Sequence, residues 1–229
     1  MKPIAACISL CVFCYSLLAQ ETTKAVKADE EINQVFTVKD LYTYPQFMPG
    51  KVFMRDGTVV EAALNYHRLF EQVMYISNKD SLAIGNPEII KVIVIGKDSF
   101  YYNKGSYYEL VATYKSVGLA VRQTLVEIDQ EKTGLYGQRY TNNSTVANKN
   151  NYTVDGQPHL NVGESTLFSQ KTEYFVSYKY GDFVPATKKN IEKLFSDKSK
   201  EVKEYLKNNP TDFTKEGDLK KLLGYIQSL

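Results

Sequence analysis

Short apolar runs separated by tight turns constrain the fold of this chain more than any other feature of its sequence. They occupy residues 51 to 111, and each run is long enough for one strand. Strands joined by two to four residues pair antiparallel, because a parallel pair needs a crossover of a dozen or more residues. The pattern therefore predicts a series of β-hairpins. Their turns are Arg55–Gly57, Ser77–Asp80, Gly85–Pro87, Gly96–Asp98 and Asn103–Gly105.

The period of the apolar residues changes near the C-terminus. After residue 187 they recur every three or four positions, which is the period of a helix that buries one face. Three such faces follow one another. Their apolar residues are Ile191, Leu194 and Phe195, then Val202, Tyr205 and Leu206, then Leu219, Leu222, Leu223 and Ile226. Because a segment of about 40 residues rarely folds alone, we expect these helices to dock on the sheet.

Together these patterns predict an α+β protein. Residues 47–186 form an antiparallel β-rich body, for which a meander, a sandwich and a partly open barrel are all compatible arrangements. Residues 187–229 form a small C-terminal helical segment. Residues 21–46 are polar and charged around short apolar islands, and they are expected to form a polar lead-in.

The first 20 residues are typical of a secretory signal peptide. Lys2 is followed by an uncharged, mainly apolar run from Ile4 to Ala19. As a helix this run would span about 24 Å, which is short of the ~30 Å hydrocarbon core of a bilayer. We expect cleavage after Ala19 or Gln20, leaving no transmembrane segment. An uncleaved anchor and lipidation at Cys7 are the alternatives.

All three cysteines, Cys7, Cys11 and Cys14, lie in this signal segment. The mature chain would therefore contain no disulfide, no thiolate metal site and no cysteine nucleophile. An exported protein without cysteine is more usual in a bacterial envelope than in a eukaryotic secretory route. We predict an exported protein of the periplasm, the outer membrane or the cell surface.

The composition excludes several classes of function. The chain has 229 residues, 28 Lys and Arg against 26 Asp and Glu, and a net charge of +2, so a nucleic-acid partner is not expected. Two histidines are too few for a multi-histidine metal site. The sequence also lacks the glycine-rich nucleotide motifs, the G-x-S-x-G elbow and the H-E-x-x-H motif. We predict no cofactor and no metal.

His67 and Glu71 are the best acid–base pair that the sequence offers an enzyme. Their spacing of four residues brings them together on a helix or in a tight turn, whereas on a strand they lie about 13 Å apart. The interpretation that we prefer is a surface or half-buried histidine between hairpins. No catalytic residue is assigned.

Tyrosine is the most distinctive residue of this chain, which has 18 tyrosines and no tryptophan. If Lys104-Gly105 forms a two-residue turn, Tyr102 pairs with Tyr107 and Tyr101 pairs with Tyr108. Strand side chains alternate between faces, so one pair would face the core and the other would face outward. The outward pair could stack on a sugar or a peptide. These four tyrosines are therefore the candidate binding residues, and a sheet-stabilising role is the alternative.

Several short segments of the chain form a recurring pattern of turn and apolar residues. The segments are Phe53–Gly57, Asn65-Tyr66, Tyr75-Ile76 with Asp80, Asn86-Pro87, Val94–Gly96, Asn190 with Leu194-Phe195, and Phe213–Lys215 with Asp218-Leu219 and Leu222. Together they resemble a loose family of uncharacterised exported proteins of Bacteroidota-type Gram-negative bacteria. The resemblance covers most of residues 50 to 229 and implies a location in a Gram-negative envelope. It implies no activity and no catalytic residues.

These observations favour a non-enzymatic protein of the cell envelope that binds a partner or supports surface organisation. The partner would be another envelope protein or a glycan. One alternative is a glycan- or peptide-binding module that uses the tyrosine-rich sheet face. The other is an envelope hydrolase whose site has no recognisable motif.

Overall fold

The computed structural model describes residues 23–27, 30, 32–115, 117–133, 139–142, 153–154, 157–158, 165–178 and 181–229. The predicted signal peptide, with its three cysteines and its cleavage site, lies outside these residues. In the part of the chain that the structure describes, no helix is long and apolar enough to span a membrane.

The described residues contain fourteen strands and five α-helices. Short 3₁₀ turns cover Pro87–Ile89 and Ser196–Lys198. The strands are β1 Lys24–Val26, β2 Met48–Met54, β3 Val59–His67, β4 Gln72–Ser77, β5 Asp80–Ala83, β6 Ile90–Ile95, β7 Asp98–Asn103, β8 Ser106–Tyr114, β9 Val117–Thr133, β10 Arg139–Asn142, β11 Thr153–Val154, β12 Gln157–Pro158, β13 Ser165–Tyr178 and β14 Phe183–Pro185. The helices are α1 Ile32–Val35, α2 Val38–Leu41, α3 Lys188–Leu194, α4 Ser199–Asn208 and α5 Glu216–Ser228.

Twelve of the described strands form one open, antiparallel sheet, which confirms the antiparallel body predicted from the turns. The order is β1-β13-β9-β8-β7-β6-β2-β3-β4-β5, with β10 beside β9 and β14 beside β13. The strands β6 to β9 follow one another as a meander. The hairpin of β2 and β3 joins this meander because β2 pairs with β6 on its other side.

The sheet also bends back on itself. The backbone N–H of Leu125 on β9 donates to the carbonyl oxygen of Arg68, which follows β3, at 3.1 Å. These two strands are five places apart in the sheet order. The strands between them enclose an inner cluster of apolar side chains, and this cluster is the core of the β-rich body. Its buried members are Val52, Leu64, Tyr66, Val73, Ile90, Ile93, Ile95, Phe100 and Tyr107.

The C-terminal helices pack on one end of β9 and β13. Their apolar residues meet Val117, Leu119 and Val176 of the sheet in what we call the helical cluster. The helical period read from the sequence therefore corresponds to one shared core rather than to a separate bundle. The buried helical members are Ile191, Val202, Leu219, Leu222, Leu223 and Ile226.

The segment before β2 differs from the polar lead-in that the sequence suggested. It contains β1, α1 and α2, and it buries Ile32, Phe36 and Leu41 against Leu125 and Phe168 of the long strands. Each of its helices has four residues, so neither is long enough to display a helical period. The short apolar stretches of this segment therefore pack in the core.

Candidate functional site

The tyrosine hairpin has the register predicted from its turn. Tyr102 pairs with Tyr107, and Tyr101 pairs with Tyr108. Lys104 and Gly105 have φ angles of 49° and 84°, as a two-residue type I′ turn requires. The two pairs lie on opposite faces of the sheet, because Tyr102 and Tyr107 join the inner cluster while Tyr101 and Tyr108 do not.

Neither pair, however, faces outward as a whole. Tyr107 is 4% exposed in the inner cluster, and Tyr108 is 7% exposed on the opposite face. The ring of Phe183 stacks on Tyr108 at 4.6 Å with an angle of 5°, and Phe175 meets the same ring edge-on at 4.8 Å. The expectation of an exposed tyrosine pair is therefore corrected to two buried rings on β8 and two half-buried rings, those of Tyr101 and Tyr102, on β7.

Contacts between distant parts of the chain cause this difference. Lys104 at the hairpin tip forms an ion pair of 2.6 Å with Asp182, the residue before Phe183. This pair lies beside the β14 segment that covers Tyr108. The sequence of the hairpin alone does not predict a contact between residues so far apart in the chain. Ligand binding by the tyrosines stays a prediction, and burial restricts it to Tyr101 and Tyr102, which occupy opposite faces.

His67 lies at the end of β3 and is 2% exposed, so the expectation of a surface or half-buried histidine is corrected to a fully buried one. Its Nδ1 accepts a hydrogen bond of 3.2 Å from the backbone N–H of Phe70. Its ring lies between Tyr42 and Phe70, with centroid distances of 4.5 and 4.1 Å. Burial lowers the pKa of His67 to about 3, so the imidazole is neutral near pH 7 and holds the turn between β3 and β4.

Two carboxylates on one face of the β7–β8 hairpin form an acidic centre, which we define as Asp98 and Glu109. Burial raises the pKa of the Glu109 carboxyl to about 7, helped by the negative charges of Asp98 and Glu216 and opposed by Arg68. The hydroxyl of Tyr44 donates to Oδ2 of Asp98 at 2.8 Å. Sequence reasoning missed this centre, although the hairpin register places Glu109 opposite Phe100, two residues from Asp98.

Glu109 can exchange a proton near neutral pH, but the void beside it is narrow. The void beside Glu109, lined also by Tyr66 and Phe100, is too narrow for a water molecule. The hydroxyl of Tyr66 is buried there without a hydrogen-bond partner. Within the described residues, no group of three or more His, Cys, Asp or Glu side chains is arranged to hold a metal ion.

An open groove of about 570 Å³ lies on the outer face of β2, β3 and β6. We call it the outer-face groove. The groove is lined by the aromatic rings of Phe47 and Phe53, by Val94 and by several small residues. The small residues are Pro49, Gly50, Ala63 and Gly96.

The groove exists because small residues lie next to one another on neighbouring strands. Pro49 on β2 stands opposite Ala63 on β3, and the backbone N–H of Gly96 donates to the Pro49 carbonyl oxygen, so three small residues lie side by side. A Cβ atom on Gly50 would lie 2.6 Å from the carbonyl oxygen of Val94, so this position accepts only glycine without a shift of the backbone. At one side, Lys51 and Glu61 form an exposed ion pair of 2.7 Å.

Comparison of this chain with protein-family models, with curated proteins and with solved structures finds no match.

Proposed function

We propose that this protein is a non-enzymatic binding protein of a Gram-negative cell envelope and that it binds its partner in the outer-face groove. The observation that carries the proposal is an exposed apolar groove of about 570 Å³ with phenylalanine walls. Small-molecule sites are concave, mostly apolar and supplied with a few polar groups, and they commonly have volumes of ~300–1,000 Å³. The groove meets each of these conditions.

The groove is also preorganised. Its central strand, β2, is hydrogen-bonded to β3 on one side and to β6 on the other. The floor is therefore fixed before a ligand arrives, and little conformational entropy is lost on binding. This preorganisation distinguishes the groove from a surface that becomes ordered only when its partner binds.

The chemistry of the groove favours a protein segment as the partner. Phe47 and Phe53 can pack against apolar side chains, while the Lys51–Glu61 pair offers both a donor and an acceptor at the rim. A peptide presents apolar side chains together with backbone donors and acceptors, which suits this arrangement. We propose an envelope protein as the natural partner, with a glycan as the alternative.

A displayed peptide library selected on the mature protein would test this proposal. Ala63→Arg would fill the groove, and Ala25→Arg is a matched control because Ala25 is an exposed residue of the edge strand β1. We expect enriched peptides to bind wild type and Ala25→Arg equally and to bind Ala63→Arg at least ten-fold more weakly. Equal binding to Ala63→Arg would exclude the groove, and a library without enrichment would contradict peptide binding.

Export is the second part of the proposal, and its support is the signal-like segment from Lys2 to Ala19. Mass spectrometry of the exported fraction should give a mature N-terminus at Gln20 or Glu21 and no lipid. A diacylglycerol on Cys7, or an intact Met1 in that fraction, would contradict this part alone.

A further inference from the structure

We infer that a second pocket, beside the C-terminal helices, binds an amphipathic anion with a carboxylate-like head and an apolar tail. This helix pocket lies between the turn that follows α3, the last turn of α5 and the start of β9. It is separate from the outer-face groove, with which it shares no lining residue. The inference therefore goes beyond the proposed function and does not depend on it.

The interior of the helix pocket suits an apolar tail. Its volume is about 350 Å³, within the usual range of small-molecule sites, ~300–1,000 Å³. Val117, Leu223 and Ile226 are buried members of the helical cluster and form its floor, and Leu194 and Phe195 line its side. A ligand tail would extend the apolar core towards the surface.

Two lysines converge where this pocket meets the end of α5. Nζ of Lys198 donates to the carbonyl oxygen of Ile226 at 3.2 Å, and Nζ of Lys115 donates to that of Gln227 at 2.8 Å. Because these carbonyl groups belong to consecutive residues, the two ammonium groups are held at the same end of the helix. Both lysines also line the pocket.

These ammonium groups retain binding capacity for an anion. Neither has a carboxylate oxygen within 4.0 Å among the described residues. An ammonium group has three N–H donors, and each of these lysines uses one on a helix carbonyl. Asp197 also lines the pocket, so the three charged side chains sum to one positive charge.

Capping of α5 explains part of this arrangement, since cations at a helix C-terminus interact favourably with the helix dipole. Capping alone does not explain why both cations border an apolar pocket. A neutral ligand would leave them unused, and a cation would be repelled. An anion with an apolar tail uses both the lysines and the floor.

The probe is decanoate, titrated into the mature protein by calorimetry at about pH 7.5. We expect decanoate to bind at least ten-fold more tightly than decanol, which lacks the charge, and than butyrate, which lacks most of the tail. Vesicles with and without phosphatidylglycerol form a second arm, which distinguishes a free carboxylate from an anionic lipid surface. Binding of free decanoate assigns the pocket to the soluble amphiphile, and binding of the vesicles alone would overturn that assignment.

The double variant Lys115→Gln/Lys198→Gln should weaken decanoate binding at least ten-fold and leave decanol binding unchanged. The matched control is Lys200→Gln/Lys203→Gln, because both of these lysines are exposed on the neighbouring α4. Melting curves establish that each variant is folded, and the decanol titration reports on the pocket itself.

The inference would be overturned by no binding of decanoate at about 1 mM, by equal binding of decanol and decanoate, or by full binding of decanoate to the Lys115→Gln/Lys198→Gln variant. Ala63→Arg in the outer-face groove should leave decanoate binding intact. A loss in that variant would place the ligand in the groove instead and would contradict the helix pocket.

Discussion

The helical cluster and the acidic centre lie on one face of the same sheet, yet the first consists of apolar side chains and the second of two carboxylates. Leu119 on β9 packs in the helical cluster, and Val121, two residues further along that face, stands opposite Glu109. The buried members of the helical cluster are apolar, whereas the acidic centre places two half-buried carboxylates on the same hairpin face. The contribution of the apolar region to stability should therefore not depend on pH, whereas the contribution of Glu109 should.

The largest effect should come from placing a charge in the apolar region. Leu222 is fully buried, so Leu222→Asp would bury an unpaired carboxylate in the helical cluster. We expect a loss of at least about 4 kcal/mol in the free energy of unfolding, measured by urea denaturation. Lys203→Asp on exposed α4 is the control and should change it by about 0.5 kcal/mol or less. A single transition that is unchanged in Leu222→Asp would show that the helices do not dock in solution.

The tyrosine hairpin provides a second test, because its strands differ in burial. Truncation of buried Tyr107 or Tyr108 to Ala should cost about 3 kcal/mol, as for other buried aromatic residues. Truncation of half-buried Tyr101 or Tyr102 should cost about 1 kcal/mol. Equal costs at Tyr101 and Tyr108 would mean that Phe183 does not cover the hairpin in solution.

The acidic centre should make the free energy of unfolding depend on pH. The folded pKa of Glu109 is about 7, above its ordinary value of 4.5, so folding favours the protonated carboxyl. The protonated Glu109 carboxyl makes its full contribution to the free energy of unfolding below about pH 4.5, and this contribution is lost as the pH rises through about 7. We expect a loss of about 2 kcal/mol in the free energy of unfolding between pH 5 and pH 8.

Glu109→Gln removes the titrating group and should abolish most of that loss. Glu204→Gln is the control, since Glu204 is exposed on α4. Urea denaturation at both pH values gives the comparison. If the wild type and Glu109→Gln lose the same stability, Glu109 is not the group that links folding to pH.

The smallest effect on stability should occur in the outer-face groove. Ala63 is exposed, and its outward direction leaves room for a longer side chain. Ala63→Arg should therefore change the free energy of unfolding by about 0.5 kcal/mol or less. A larger loss would show that the groove is part of the core, and the peptide selection with this variant would then report on folding instead of binding.

The sequence predicted those parts of the fold that depend on neighbouring residues. The turn at Lys104-Gly105 defines the pairing of Tyr102 with Tyr107, and the spacing of Leu219, Leu222 and Ile226 defines the helix face that is buried. It also predicted the antiparallel sheet, because short turns allow no other pairing.

The remaining features depend on contacts between distant residues. Phe183 covers Tyr108 from a strand that follows much later in the chain, and Tyr44 meets Asp98 from the segment before β2. The one-turn helices α1 and α2 are too short to show a period. The outer-face groove arises from small residues aligned across three strands, a pattern that no single run displays.

The pairing of β1 with β13 has a consequence for how an exported chain would reach its final form. Lys24 stands opposite Phe168, so the first strand is completed by one of the last. In a chain that crosses a membrane with its N-terminus first, β1 emerges long before its partner. Such long-range pairing slows folding and leaves early segments exposed. In a chain exported in this way, final closure of this edge, with the burial of Val26 in its cluster, would wait until translocation is nearly complete.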